Sequence, residues 1–71
     1  MQKEIAKEVN TLMLEFSARL NDSIRLVQQG SSKDEFENYR EEVSKLMTIM
    51  YLDIMKPIHQ RYPELEPDAL K

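Results

Sequence analysis

His59 is the only histidine of this 71-residue chain, and it lies in the segment KPIHQRYPE. An imidazole can act as a general acid or base in a catalytic site. Catalysis would also need a nucleophile or an orienting carboxylate, yet no Ser, Asp or Cys stands at a recognisable catalytic spacing from His59. We therefore predict that His59 is an exposed residue at a helix end. We expect no catalytic residue and no cofactor, and thus a protein that is not an enzyme.

Acidic residues form two clusters that could in principle bind a metal ion. One cluster is Glu37, Glu41 and Glu42, and the other is Glu64, Glu66 and Asp68. A di-metal helical bundle needs Glu-x-x-His motifs that face inward. Three residues after Glu41 and Glu42 stand Ser44 and Lys45, so the motif is absent. With one glycine in the chain, a Gly-rich phosphate loop is excluded as well. We expect these acids to be solvated and predict no metal site.

The basic residues argue against a general nucleic-acid binder. Ten Lys and Arg stand against thirteen Asp and Glu, which gives a net charge of −3, whereas binding to a phosphate backbone requires a basic surface. A modest basic patch could still form if two copies of the chain associate. Its members would be Arg19, Arg25, Lys33, Arg40 and Lys45. Binding of structured RNA is therefore the alternative function, and nucleic acid is the less favoured partner.

The first half of the chain has the pattern of one long amphipathic helix. Eight apolar residues fall within about 120° of arc at helical spacing. They are Ile5, Val9, Leu12, Met13, Phe16, Leu20, Ile24 and Val27. The pattern predicts a helix over about residues 3–29. The only glycine, Gly30, follows directly, and we expect it to stop the helix in the left-handed conformation.

A second helix is predicted to begin at about residue 33. Ser32 and Glu35 form a capping box, which marks a helix start. The apolar stripe of this helix is Phe36, Tyr39, Val43, Leu46, Met47, Met50, Tyr51, Ile54 and Ile58. Pro57 breaks regular helical hydrogen bonding, so the helix either ends near residue 56 or continues with a kink to 62; we favour the kink. Residues 63–71 are acidic and contain proline, and we expect a mobile tail there.

These elements predict an all-α fold. The short link between the helices favours an antiparallel two-helix hairpin over residues 1–62. A chain this small without cysteine is marginally stable alone, so we predict that hairpins dimerise into a four-helix bundle. The predicted dimer interface consists of Phe16, Leu20, Leu46, Met50 and Ile54. In such a hairpin, residue i lies level with about residue 62−i.

Three further apolar residues, Leu14, Ile49 and Leu52, lie off the two stripes at a similar height. They suggest a second contact patch, for a tetramer or for another protein, although scattered surface apolar residues are also common. No apolar run is long enough for a membrane span or a signal peptide. We therefore expect a cytoplasmic, homodimeric helical protein that acts through protein contacts as an adaptor, a regulator or a small subunit.

Overall fold

The structure is a computed structural model that describes residues 1–68, and it is all-helical. Helix α1 spans Lys3–Gly30 and helix α2 spans Lys33–Ile49. A π-helical segment, Met50–Met55, continues directly into helix α3, Lys56–Arg61. A 3-10 turn, Pro63–Leu65, follows, and no strand occurs within residues 1–68. The predicted all-α class is thereby confirmed. No helix among these residues is long and apolar enough to cross a membrane.

The link between α1 and α2 consists of two serines in extended conformation. Ser31 has φ −134° and ψ 168°, and Ser32 has φ −65° and ψ 162°. The predicted left-handed conformation of Gly30 is wrong, because no glycine has a positive φ and Gly30 is the last residue of α1. The helix stops instead because Ser31 turns to extended backbone, which frees Ser32 to cap α2.

The predicted start of α2 at the Ser32 cap is confirmed, with the Glu35 carboxylate bound to the Ser32 hydroxyl. The backbone N–H of Glu35 donates to Ser32 Oγ at 3.2 Å, and the Ser32 hydroxyl donates to Glu35 Oε1 at 2.9 Å. One of the amides that a helix start leaves without a partner is thereby satisfied. Asp34 and Glu35 also place negative charge in the first turn, where the helix dipole favours it.

Pro57 is accommodated by the π-helical segment. A proline in a regular α-helix clashes with the carbonyl four residues earlier and cannot donate to it. Here the turn ahead of Pro57 is widened, and the Lys56 N–H donates to the Tyr51 carbonyl five residues back. Such single wide turns relieve local strain within a helix. The helical path therefore continues past Pro57 to Arg61.

We call α2, the π segment and α3 together the second helical stretch. Hydrogen bonds join the α1 side of the molecule to this stretch near both ends of the molecule. Near the link, Ser23 Oγ and Tyr39 Oη are 2.8 Å apart, a pair that matches the expected alignment of residue i with 62−i. At the other end, Tyr62 Oη donates to the Met1 carbonyl at 2.7 Å. The molecule is elongated, with extents of 44 × 20 × 16 Å.

The residues after Arg61 also contact α1. Leu65 is half-buried, and its carbonyl accepts a hydrogen bond from Asn10 at 3.0 Å. The sequence predicts a mobile tail at 63–71. That prediction about motion stays a prediction, and its last part, residues 69–71, lies outside the described residues.

The buried core within one chain is small. Among residues 1–68 its apolar members are Ala6, Val43, Met50, Met55 and Ile58. More large apolar side chains are exposed than buried. The exposed ones are Met1, Ile5, Leu12, Leu14, Phe16, Leu26, Leu46, Ile49, Leu52 and Ile54. One line of contact between two helices thus leaves much of each apolar stripe in water.

The conformation of Gly30 leads to a stability prediction. A Cβ added at Gly30 meets no atom within 4 Å, and the residue is helical. Gly30→Ala should therefore stabilise the fold by about 0.5–1 kcal/mol, because alanine loses less backbone entropy in a helix. Urea unfolding of the two proteins measures the change. A destabilised variant would mean that Gly30 needs the left-handed conformation after all.

Candidate protein–protein interaction surface

An apolar groove runs between α1 and α2. It has a volume of about 360 Å³ and is lined by Phe16, Arg19, Leu20, Leu46 and Met50. Phe16 and Leu20 are four residues apart on α1, and Leu46 and Met50 are four apart on the second helical stretch. This spacing places each pair on one side of its helix. Four of the five residues predicted for the dimer interface are thus brought together.

The exposure of these residues differs. Phe16 is 49 % exposed and Leu46 is 46 % exposed, whereas Leu20 is half-buried and Met50 is only 8 % exposed. Ile54, the fifth predicted residue, is exposed but does not line the groove. Met50 therefore belongs to the core of its own chain, while Phe16 and Leu46 are available for contact with another molecule.

The apolar surface extends beyond the groove along α1. At about 100° per residue, Ile5 and Leu12 lie within roughly 40° of Phe16 on the helix. Both side chains are exposed. We call the groove-lining apolar residues, together with Ile5, Leu12 and Ile54, the groove face.

The predicted second patch is exposed at all three positions, Leu14, Ile49 and Leu52. Ile49 lies about 60° from Leu46 around its helix, so it borders the groove face. Leu14 lies about 160° from Phe16 around α1, so it points away from the groove face. Their grouping as one contact patch stays a prediction.

A buried polar network lies at the other end of the molecule from the link. His59 Nε2 and Asn10 Oδ1 are 2.7 Å apart, and Asn10 Nδ2 donates to the Leu65 carbonyl. His59 and Asn10 are each only 6 % exposed. The network ties α1 to α3 and to the turn that follows α3.

The Leu65 carbonyl determines which atom donates in the hydrogen bond between His59 and Asn10. A carbonyl oxygen can only accept, so Asn10 must turn its Nδ2 toward Leu65 and its Oδ1 toward His59. The Nε2–H of His59 therefore donates a hydrogen bond to Asn10 Oδ1. The Nδ1 atom is buried and has no hydrogen-bond partner within residues 1–68. Since both ring nitrogens are enclosed, the ring serves as a structural tie.

The expectation that His59 is exposed is therefore wrong. The residue follows Ile58 on the last helical turn, and the π segment rotates that turn so that His59 faces α1. A sequence signal for its partner existed. Asn10 lies four residues after Ala6 and three before Met13, so it belongs to the buried side of α1. Asp53, in contrast, is exposed.

An exposed ion pair supports the contact between α1 and the turn after α3. Lys3 Nζ and Glu64 Oε1 are 2.7 Å apart. Their hydrogen bond, and then their charge attraction, raise the pKa of the Lys3 ammonium from its ordinary value. The same hydrogen bond, and then a hydrogen bond from the Glu64 backbone, lower the pKa of the Glu64 carboxyl. Because both groups are exposed, solvent and salt screen the pair strongly.

The predicted basic residues are not gathered into one cluster of free cations. Arg25 pairs with Asp22, and Lys45 pairs with Glu42 at 2.9 Å. The Arg40 guanidinium lies over the Phe36 ring, 5.4 Å from its centre. Within residues 1–68, no group of three His, Cys, Asp or Glu side chains is placed to hold a metal ion.

Comparison of the chain with protein-family models, with curated proteins and with solved structures finds no match.

The buried network predicts a cost for removing Asn10. Asn10→Ala leaves the His59 Nε2–H and the Leu65 carbonyl without partners, so it should destabilise the fold by about 2 kcal/mol. Urea unfolding measures this cost. Thr11→Ala, at the exposed neighbour, is the matched control and should change stability by less than about 0.5 kcal/mol. Equal effects of the two substitutions would show that the network contributes nothing.

The Lys3–Glu64 pair predicts a pH-dependent contribution. The lowered pKa of Glu64 means that its contribution is present at neutral pH and is lost as the pH falls through that pKa. The raised pKa of Lys3 means a second loss as the pH rises through it. Glu64→Gln should therefore be less stable than the parent at pH 7 and equally stable at low pH, with Glu37→Gln as the control. A stability difference that persists in acid would contradict this.

Proposed function

We propose that the chain forms an antiparallel helical hairpin and that two copies pack their groove faces together into a four-helix bundle. The homodimer acts through protein–protein contacts, as an adaptor, a regulator or a small subunit, and has no catalytic activity. The cysteine-free composition favours a reducing compartment, and we place the protein in the cytoplasm on that ground.

The exposed groove face is the observation that carries this proposal. Phe16 and Leu46 each leave nearly half of a large apolar side chain in water. They stand on either side of a groove that is open along one side of the molecule. Because burial of apolar surface is favourable by roughly 25 cal/mol per Å², covering this face would stabilise the protein.

The contacts between the helices support the hairpin. The link is two residues long, Ser23 contacts Tyr39 near it, and Met1 contacts Tyr62 at the far end. A link that short favours antiparallel neighbours. A hairpin presents one side of both helices together, as a dimer interface requires.

The amount of exposed surface supports one partner of similar size. The chain exposes 5401 Å², whereas a compact monomer of this mass would expose about 4,600 Å². The excess, about 800 Å², is close to the area that each partner buries in a standard-sized interface. A second copy is the partner favoured here, because closed two-fold dimers are the commonest assemblies of small soluble chains.

Leu46→Glu tests the dimer without disturbing the core of the single chain. Sedimentation equilibrium of the parent protein should give twice the monomer mass. The variant should dimerise at least about 100-fold more weakly, because each copy would bury an unpaired carboxylate. Met50 is less suitable, because it is buried within its own chain.

Leu14→Glu is the matched control, since Leu14 is exposed and points away from the groove face. It should leave the dimer mass unchanged, while circular dichroism shows that both variants are folded. A parent protein that is monomeric at all concentrations, or a Leu46→Glu variant that still forms the full dimer, would refute the proposal.

A further inference from the structure

Two lines of charged residues flank the groove face. On α1, Glu8 and Arg19 are eleven residues apart, which is about three helical turns, so both lie on one side of the helix. Arg19 itself lines the groove. On the second helical stretch, Lys45, Ile49 and Asp53 follow one another at intervals of four residues. Glu15 lies on the same side of α1, seven residues after Glu8 and four before Arg19.

Glu8 and Asp53 lie toward one end of the molecule, and Arg19 and Lys45 lie toward the other. Tyr62 contacts Met1 at the first end, and the link between α1 and α2 lies at the second. Glu15 and Glu42 add two acids nearer to the link. The charges that can decide an orientation are therefore Glu8 and Asp53 on one side of the middle, and Arg19 and Lys45 on the other.

These charges are available for a second molecule. Within the part of the chain that the structure describes, Glu8, Arg19 and Asp53 make no ion pair. Lys45 donates to Glu42 at 2.9 Å. Since an ammonium group has three N–H donors and this one is exposed, Lys45 can contact a second carboxylate as well.

We infer that the two hairpins of the proposed dimer pack with opposite ends together. The end of each groove face that carries Glu8 and Asp53 then lies on the end of the other that carries Arg19 and Lys45. Glu8 pairs with Arg19 of the partner subunit, and Asp53 pairs with Lys45 of the partner subunit. By symmetry each pair occurs twice. This inference rests on the proposed homodimer and specifies its orientation.

The two lines agree on the position of the two-fold axis. The midpoint of Glu8 and Arg19 falls at about position 13.5 of α1. The midpoint of Lys45 and Asp53 falls at about position 49, which lies level with about position 13 of α1 by the 62−i alignment. Two separate pairs of charges therefore place the axis at one height. Leu12 and Ile49 lie at that height and form an apolar centre, while Glu15 lies near the same height on the charged rim.

The opposite orientation is less favourable. In that orientation, the end of each copy at which Tyr62 contacts Met1 lies beside the same end of the other copy. Helix α1 would then face the second helical stretch of the other copy at equal height. Glu8 would then face Asp53 of the partner subunit, a repulsive pair, while Arg19 would face Glu42 of the partner subunit. This orientation predicts a different set of compensating substitutions.

Charge reversal distinguishes the two orientations. Arg19→Glu should weaken the dimer on the order of tenfold, because it places acids opposite each other twice. Adding Glu8→Arg should restore most of the affinity. Lys7→Glu makes the same charge change away from the groove face and should have little effect. Rescue of Arg19→Glu by Glu42→Arg, and none by Glu8→Arg, would overturn the inference.

Disulfide trapping provides a second readout, because the natural chain contains no cysteine. Ile49→Cys lies at the predicted axis, so mild oxidation should link two copies rapidly. Leu26→Cys is the control. Leu26 is more exposed than Ile49, yet the two copies of this residue would be about 37 Å apart in the proposed dimer. Rapid linkage at Leu26 and slow linkage at Ile49 would contradict the inference.

The failure of this inference differs from the failure of the proposed function. A parent protein that is a monomer by sedimentation equilibrium removes the dimer, and the orientation with it. A dimer that Leu46→Glu disrupts, but that shows neither rescue by Glu8→Arg nor linkage through Ile49→Cys, keeps the dimer and refutes only its orientation.

Discussion

Two helices touch along one line, and this constraint determines most of what the molecule exposes. The apolar stripe of α1 is about 120° wide, which is more than one neighbouring helix can cover. Val43 and Met50 are covered by the contact, while Ile5, Leu12 and Phe16 remain in water. The small core and the open groove are therefore two results of the same geometry. A further layer is what completes such a stripe, and the proposed dimer supplies that layer from a second copy.

The contact between the helices also depends on the π segment and on the polar network beyond it. The wide turn at Met50–Met55 accommodates Pro57 and changes the rotation of α3 relative to α2. That rotation turns Ile58 and His59 inward, and Met55, the last residue of the π segment, is buried as well. His59 can be buried there because its Nε2–H donates a hydrogen bond to Asn10, and Asn10 in turn donates to the Leu65 carbonyl. A buried polar group without such a partner would cost more than its packing contributes.

Periodicity and capping residues predicted the elements well, since both depend on local sequence. The all-α class and the cap of α2 by Ser32 are confirmed. The conformation of Gly30 and the burial of His59 were predicted wrongly, because each depends on residues elsewhere. Gly30 is helical since the following serines form the link. His59 is buried since α3 is rotated and Asn10 lies opposite, and an apolar pattern does not detect a polar pair.

Apolar contact and charge have different consequences for the proposed dimer. Burial of Phe16 and Leu46 is favourable in either orientation, because the hydrophobic effect has little directionality. Exposed charge pairs contribute little to affinity, but their signs change with orientation. Only one orientation places Glu8 opposite Arg19 and keeps it away from Asp53. In the proposed dimer, the affinity would thus depend on the centre of the groove face and the orientation on the charged rim.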